Sequence, residues 1–168
     1  MNTTHLHLLL NHFPVIGTMV GSGLLLWGII RKQNNIKTAA AAVLFIMALV
    51  AIPVYLTGEP AEDAVEKLPG VAASMIEQHE AAATIAIWIM GITGLAALVA
   101  LMAYWQKKAA AGVIFTATFI LSALSFAAMA RTGYYGGQIR HTEIRNGNTA
   151  VQNAGNETGE GKKEKDDD

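Results

Sequence analysis

Four long segments without a charged side chain constrain this chain more than any other feature of its sequence. They contain no Asp, Glu, Lys or Arg, and they cover residues 6–30, 38–56, 81–104 and 109–130. Each is close to or above the roughly 20 apolar residues that a helix needs to cross a bilayer. In lipid, only helices and closed barrels satisfy their backbone hydrogen bonds, and these segments lack the alternation of barrel strands. The sequence therefore predicts an all-α fold, a four-helix transmembrane bundle.

The composition agrees with a membrane protein and excludes several classes of function. Of the 168 residues, 52% are hydrophobic and 15% are charged, which is too apolar for an ordinary soluble domain. The net charge of −1 predicts no nucleic-acid partner. Cysteine is absent, which excludes disulfides and thiolate metal sites. We find no nucleophile paired with a base and no phosphate-binding loop in the sequence, so we do not expect an enzyme that acts on its own.

The number of spans determines which loops share an end of the bundle. Four is an even number, so both termini lie at one end together with the loop 57–80, and we call this the terminal end. The short connections 31–37 and 106–108 lie at the other end, which we call the basic end. The basic end holds Arg31, Lys32, Lys37, Lys107 and Lys108. The positive-inside rule therefore predicts a protein of the cytoplasmic membrane with the basic end in the cytoplasm and both termini outside.

The polar parts of the chain complete the predicted domain organisation. Within the loop 57–80, Pro60 and nearby acidic residues predict a short extramembrane helix between spans two and three, which ends before Pro69. From Val71 the pattern is helical again and predicts a helix that runs unbroken into the third span and protrudes outward. The membrane domain is assigned to 1–145. The tail 146–168 is polar and acidic and is predicted to be disordered.

Histidines are the main candidates for chemistry, and all of them fall at the terminal end. They are His5, His7, His12, His79 and His141. A histidine near membrane depth is costly without a partner, and His12 is the deepest by helix length. His7 and His12 are five residues apart, about 140° around a helix, so without a bend at Pro14 they would not both reach one ion. They could then serve two centres, or one could ligate while the other hydrogen-bonds. Glu80, beside His79, is a candidate hydrogen-bond acceptor for a ligating histidine. Interfacial hydrogen bonding to water and headgroups is the simpler account for His7, His79 and His141, and a solvated terminus is the simpler account for His5.

Small residues below His12 offer a second candidate feature. Gly17 and Gly21 are four residues apart and form a small face on the first span. Such faces commonly allow two membrane helices to pack closely. The alternative is that these glycines make room for the edge of a porphyrin, and the two roles are compatible.

Four motifs resemble, in the same order, an uncharacterised bacterial family of four-helix integral membrane proteins described by domain of unknown function 2231. They are His7-x-x-x-x-His12-Phe-Pro, Thr57-Gly-Glu-Pro-Ala-Glu, His79-Glu80 and Tyr135-Gly-Gly-x-x-Arg-His141. The resemblance covers roughly residues 5 to 145. Some members occur beside or fused to redox modules, which implies haem or metal binding. The chain departs from the family after His141, where Thr142 replaces the usual glycine.

The first functional hypothesis is a small membrane b-type cytochrome. Non-covalent haem b would be held at the outer face by imidazole ligands drawn from His7, His12, His79 and His141. Such a protein would pass electrons to a redox partner protein or a quinone at that face. A haem relay across the whole membrane is not expected, because no second histidine pair lies at the basic end.

Two further hypotheses come from other classes of protein. The first is a non-haem site that binds Zn or Cu through the same imidazoles and Glu80, since imidazole suits both metals. The second is a structural subunit, in which the glycine faces pack against further copies of the chain or a larger complex. Membrane lipid is an expected partner in all three cases.

Overall fold

The computed structural model describes residues 3–66 and 68–141, and this part of the chain is helical apart from short turns. The helices are α1 (Thr3–Leu10), α2 (His12–Ile30), α3 (Asn34–Leu56), α4 (Gly58–Glu66), α5 (Ala73–Trp105) and α6 (Ala111–Arg140). Four stretches are long and apolar enough to cross a membrane: α1 with α2, α3 with α4 appended, α5, and α6. The prediction of a four-helix membrane bundle is confirmed. The predicted disordered tail 146–168 lies outside the described residues.

The four spans form a closed ring in which each packs against two neighbours. α2 packs against α3, α3 against α5, α5 against α6, and α6 against α2. The outward surface is rich in apolar side chains that lipid covers, among them Phe13, Ile16, Trp88, Leu95 and Val113. The chain is therefore an integral membrane protein whose polar chemistry must lie between the helices or at their ends.

The first span is interrupted at Asn11, between α1 and α2. Pro14 explains the position of this interruption, because proline has no N–H to bond the carbonyl of Leu10, four residues earlier. α1 has no buried residue and packs mainly against α4. Asn11 itself keeps helical dihedral angles, and its N–H donates to the carbonyl oxygen of His7 at 2.9 Å, so the interruption between α1 and α2 is confined to one residue.

The loop 57–80 forms the short helix and the long helix that its sequence predicts. α4 begins at Gly58, with Pro60 in its first turn, and ends at Glu66. Gly70 adopts the left-handed region, with a φ of 80°, in the turn before α5. α5 has 33 residues and is about 50 Å long, more than the roughly 30 Å of hydrocarbon in a bilayer. Its first turns therefore extend past the hydrocarbon at the terminal end.

Small residues and hydroxyl groups hold the bundle together. The buried core is dominated by alanine, with Leu25, Leu44 and Phe115 as its bulkiest members toward the basic end. Ser22 Oγ donates to Ser122 Oγ at 2.9 Å, and the hydroxyls of Thr93 and Ser125 are 2.8 Å apart. Bonds of this kind join membrane helices where lipid offers no competing partner.

The glycines of the first span are placed against α3. A Cβ atom at Gly17 would meet the side chain of Met47, and a Cβ atom at Gly21 would lie 2.8 Å from Leu44. Both glycines therefore serve the close approach of two helices, which was one of the two roles proposed for them. Neither lines the cavity described below.

We expect Gly94→Ala to destabilise the bundle by about 1–3 kcal/mol. A Cβ atom at Gly94 would overlap the Cβ atom of Ala48 on α3, so the two helices would have to separate. Gly91→Ala is the matched control, because a Cβ atom at Gly91 has nothing within 4 Å. This control is expected to be neutral or stabilising by about 0.5–1 kcal/mol, since alanine favours a helix. Thermal unfolding in detergent compares the two variants, and equal destabilisation by both would contradict the packing at Gly94.

Candidate metal centre

A cavity of about 250 Å³ opens between the helices at the terminal end of the bundle. Every helix contributes to its wall or mouth, and its polar lining includes His7 from α1 and His79 from α5. About 39 Å of helix separates His79 from Trp105 at the basic end, whereas only about 27 Å separates Met129, at the apolar side of the cavity, from Ala111. The cavity therefore runs from headgroup level into the hydrocarbon layer.

His7 is half-buried and is fixed by the end of α3. Its Nδ1 lies 3.0 Å from the carbonyl oxygen of Val54 and 3.3 Å from Oγ1 of Thr57. Val54 is in the last turn of α3, and its carbonyl oxygen also accepts a hydrogen bond from Oγ1 of Thr57 at 3.0 Å. Because a carbonyl only accepts, the hydrogen of the neutral imidazole is on Nδ1 and the lone pair is on Nε2.

His79 is fixed in the same manner by the backbone of α6. Its Nδ1 donates to the carbonyl oxygen of Thr132 at 3.0 Å, and the ring is half-buried. A Cβ atom at Gly136 would lie 3.1 Å from both Cε1 and Nδ1 of this imidazole. The absence of a side chain at Gly136 therefore lets the ring approach the backbone of α6. As in His7, the lone pair is left on Nε2.

Carboxylates surround the two imidazoles at the mouth of the cavity. Glu59 and Glu62 come from α4, and Glu80 comes from the exposed side of α5. α4 carries four acidic residues and so lies outside the apolar span, at the water-facing mouth. There, burial together with the charges of Glu80, Glu59 and Asp63 raises the pKa of Glu62 above its ordinary value. Negative charge is thus concentrated on one side of the histidine pair.

Asn11 adds a further electron-pair donor to the wall. Its Oδ1 is buried and has no hydrogen-bond partner within the described ranges, and the residue lines the cavity. No lysine or arginine is found in the lining contributed by residues 3–66 and 68–141. The polar groups therefore present lone pairs and negative charge, an arrangement that favours a cation.

The deeper part of the cavity is apolar. Its lining consists of Pro14, Val15, Ala51, Ala86, Ile87 and Met129. These side chains belong to four different spans, so the floor forms only when the bundle is assembled. The site combines polar donors at the mouth with a surface that excludes water below them.

The structure brings some of the predicted site residues together and separates others. His7, His79 and Glu80 share the cavity. His12 is exposed at the start of α2 and does not line it. His141 is exposed at the end of α6, where its backbone N–H donates to the carbonyl of Gly137 at 3.0 Å. His5 is also exposed.

Several residues of the site were not predicted from the sequence. Asn11, Met129 and Thr132 carry no motif that distinguishes them from packing or surface residues. Glu62 ends the Thr57-Gly-Glu-Pro-Ala-Glu motif, but nothing in that motif indicates that it lines a cavity. Gly136 is part of the Tyr-Gly-Gly motif, but nothing in that motif indicates that the glycine faces His79. Among residues 3–66 and 68–141, no three His, Asp or Glu side chains are already arranged as a metal-binding set. What the structure does show is that His7 and His79 share the cavity and that each ring is fixed by its own backbone carbonyl.

In both cavity histidines, one ring nitrogen is held by a backbone carbonyl. Metal-bound imidazoles usually donate the other N–H to a carboxylate or a backbone carbonyl, which fixes the ring and the tautomer. Both His7 and His79 meet this condition with a backbone carbonyl. Comparison of the chain with family models, with curated proteins and with solved structures finds no match.

Proposed function

We propose that this integral membrane protein binds a transition-metal cation at the terminal end of its bundle, between Nε2 of His7 and Nε2 of His79. The observation that supports the proposal most directly is that each of the two imidazoles is held by a backbone carbonyl. Val54 and Thr132 each accept the Nδ1 hydrogen of one imidazole, so Nε2 is the only atom that each ring can offer to a metal.

The charge of the surroundings also favours a cation. Glu59, Glu62 and Glu80 line the same cavity and would raise the local cation concentration. In this proposal a change of rotamer brings one of these carboxylates to the ion. Imidazole nitrogens suit zinc, copper, iron and nickel, whereas a set made only of carboxylates would suit magnesium or calcium. The histidine pair therefore indicates a transition metal, with carboxylates as secondary donors.

A titration of the purified protein tests the proposal. The full chain, stripped with a chelator and placed in lipid nanodiscs, is dialysed against Zn²⁺ and, under reducing anaerobic conditions, against Cu⁺. We expect one equivalent of metal per chain with one of these ions. The matched control is the double variant His5→Ala/His12→Ala, which keeps both cavity histidines and should bind equally well. Wild-type binding no stronger than that of His7→Ala/His79→Ala would overturn the proposal.

A b-type cytochrome is the second candidate function. It is favoured by the combination of two imidazoles on different helices with an apolar floor, because haem needs both axial ligands and an apolar slot. The acidic mouth fits haem less well, since the two propionates would face carboxylates without an arginine or lysine in the described lining. With haem bound, His7 and His79 would be the axial ligands, and the group would supply one-electron transfer at the terminal end.

A visible spectrum separates the two candidates. The protein is expressed with haem supplied, purified, and measured as a reduced-minus-oxidised difference with elemental analysis of the same sample. We expect no sharp α-band and less than stoichiometric iron. A sharp α-band with one iron per chain, lost in His79→Ala and retained in His12→Ala, would replace the metal-cation proposal with the cytochrome.

A further inference from the structure

The basic end of the bundle carries positive charge that no carboxylate of the chain balances. Its five cations are Arg31, Lys32, Lys37, Lys107 and Lys108. The sequence contains no Asp or Glu from residue 1 to 58 or from residue 81 to 142. All carboxylates therefore fall in 59–80 and 143–168, which belong to the terminal end because the number of spans is even. An anion that balances the basic end must come from outside the chain.

Lys37 is the cation whose side chain contacts two other helices. It lies in the first turn of α3, and its Nζ is 5.5 Å from the centre of the Phe115 ring on α6. A Cβ atom at Gly28 on α2 would be 2.9 Å from Cγ of Lys37, so the lysine stem occupies the space that this glycine leaves. Phe115 is buried, and it belongs to the core toward the basic end. The ammonium group of Lys37 therefore lies toward the middle of the bundle at that end.

Two tryptophans place the basic end at the level of the lipid headgroups. Trp27 lies in the last turn of α2 and is 53% exposed, and Trp105 ends α5 and is 68% exposed. Exposed indole rings of membrane proteins prefer the interface between hydrocarbon and water. Cζ of Arg31 lies 5.4 Å from the centre of the Trp27 ring, so this cation is at the same level. The cations of the basic end are therefore at the depth of the lipid phosphates.

We propose that the basic end binds the headgroup of an anionic phospholipid and that Lys37 holds its phosphate. The ammonium group has three N–H donors, and lysine binds phosphate as a point charge. Clusters of four to eight Lys and Arg beside a span are typical of anionic lipid binding. The exposed rings of Trp27 and Trp105 offer apolar contacts for acyl chains, which a soluble anion would not use. The proposal does not depend on the metal site at the other end.

A topology signal alone gives a different expectation for Lys37. The positive-inside rule requires only charge in the short connections, which Arg31, Lys32, Lys107 and Lys108 already supply. A cation in the first turn of a helix is unfavourable because the peptide dipoles are positive there, and α3 has no acidic residue in that turn. A bound phosphate would offset this cost. With a topology role alone, Lys37 should matter for lipid binding no more than an exposed lysine does.

The test measures lipid binding to the full chain in a neutral detergent by native mass spectrometry. The probes are phosphatidylglycerol, which is anionic, and phosphatidylcholine, which has the same phosphate but no net charge. We expect the wild type to bind phosphatidylglycerol at least about tenfold more tightly than phosphatidylcholine. Equal affinities for the two lipids would overturn the proposal. Inorganic phosphate that binds as tightly as phosphatidylglycerol would overturn the lipid as the occupant.

Lys37→Gln is expected to weaken phosphatidylglycerol binding at least about 20-fold, because it removes a hydrogen bond to the phosphate together with one charge. Lys32→Gln is the matched control, since Lys32 is exposed in the turn after α2 and the change in charge is the same. The control should weaken binding by no more than about fivefold, the effect of one surface lysine. Equal losses in the two variants would show that the lipid responds only to total charge and would overturn the role of Lys37.

Gly28→Ala tests the position of Lys37 without changing any charge. The new methyl group would lie 2.9 Å from Cγ and 3.0 Å from the backbone N of Lys37, so the lysine stem must move. We expect phosphatidylglycerol binding to weaken at least about fivefold. Gly23→Ala, on the same helix with nothing within 4 Å of the new Cβ atom, should bind as the wild type does. Unchanged binding in Gly28→Ala would overturn the assigned position of Lys37. If thermal unfolding shows that Gly28→Ala is misfolded, the comparison of Lys37→Gln with Lys32→Gln decides the question.

Discussion

His79→Ala is expected to lower the affinity for the bound metal at least about 100-fold. Loss of a residue that only orients a ligand typically costs 10–100-fold, and loss of the ligand itself should cost more. The substitution also leaves the Thr132 carbonyl without its imidazole partner at half-buried depth. The measurement is equilibrium dialysis with elemental analysis, carried out beside thermal unfolding so that loss of the site is distinguished from loss of the fold.

Two histidines of the same chain provide the controls for this experiment. His7→Ala should match His79→Ala, because both imidazoles offer Nε2 to the same cavity. His12→Ala should bind like the wild type, since His12 is exposed and lies outside the lining. If His12→Ala loses as much affinity as His79→Ala, the metal site is not the cavity between the helices at the terminal end.

Gly136→Ala is expected to weaken metal binding about 10–100-fold without removing any ligand. The new methyl group would lie 3.1 Å from Nδ1 of His79, the same atom that donates to the Thr132 carbonyl. To relieve this contact the ring must turn, and the Nδ1 hydrogen bond then lengthens. The lone pair on Nε2 of His79 would then point in a different direction relative to the His7 ring. Metal affinity and the imidazole nitrogen chemical shifts of His79 both report this change.

Gly112→Ala is the control for the Gly136 experiment. Gly112 lies on the same helix at the basic end, and a Cβ atom there has nothing within 4 Å. This variant should bind metal as the wild type does. Equal affinity in Gly136→Ala and the wild type would show that the His79 ring adjusts freely and that its placement does not require a glycine at position 136.

The spans and loops were predictable because they depend on composition along the chain. Uncharged segments of about 20 residues leave few alternatives in lipid, and Pro60 and Pro69 marked the limits of the short helix between the second and third spans. The confinement of the histidines to one end followed from counting spans. These inferences need no knowledge of how any helix is rotated about its axis.

The site itself depends on rotation and on contacts between distant segments, which one sequence does not specify. His12 was the leading candidate because of its depth, yet it is exposed, whereas His7 on the separate helix α1 reaches the cavity. The roughly 140° between these residues indicated that they would not share a centre, but not which of them would face inward. The carbonyls that fix the two rings belong to Val54 and Thr132, far from either histidine in the sequence. No local sequence pattern indicates such hydrogen-bond partners.

With metal bound as proposed, the weak packing of α1 would give the metal supply a thermodynamic role in holding the N-terminal segment in place. α1 buries no residue of its own, and His7 is its point of attachment to the end of α3. An ion shared by His7 and His79 would link this helix to α5, nearly half the chain away, in the folded state. Free metal would then raise the free energy of unfolding by mass action. The fraction of molecules in which α1 is docked on the bundle would thus rise with the concentration of metal on the side of the membrane that the terminal end faces.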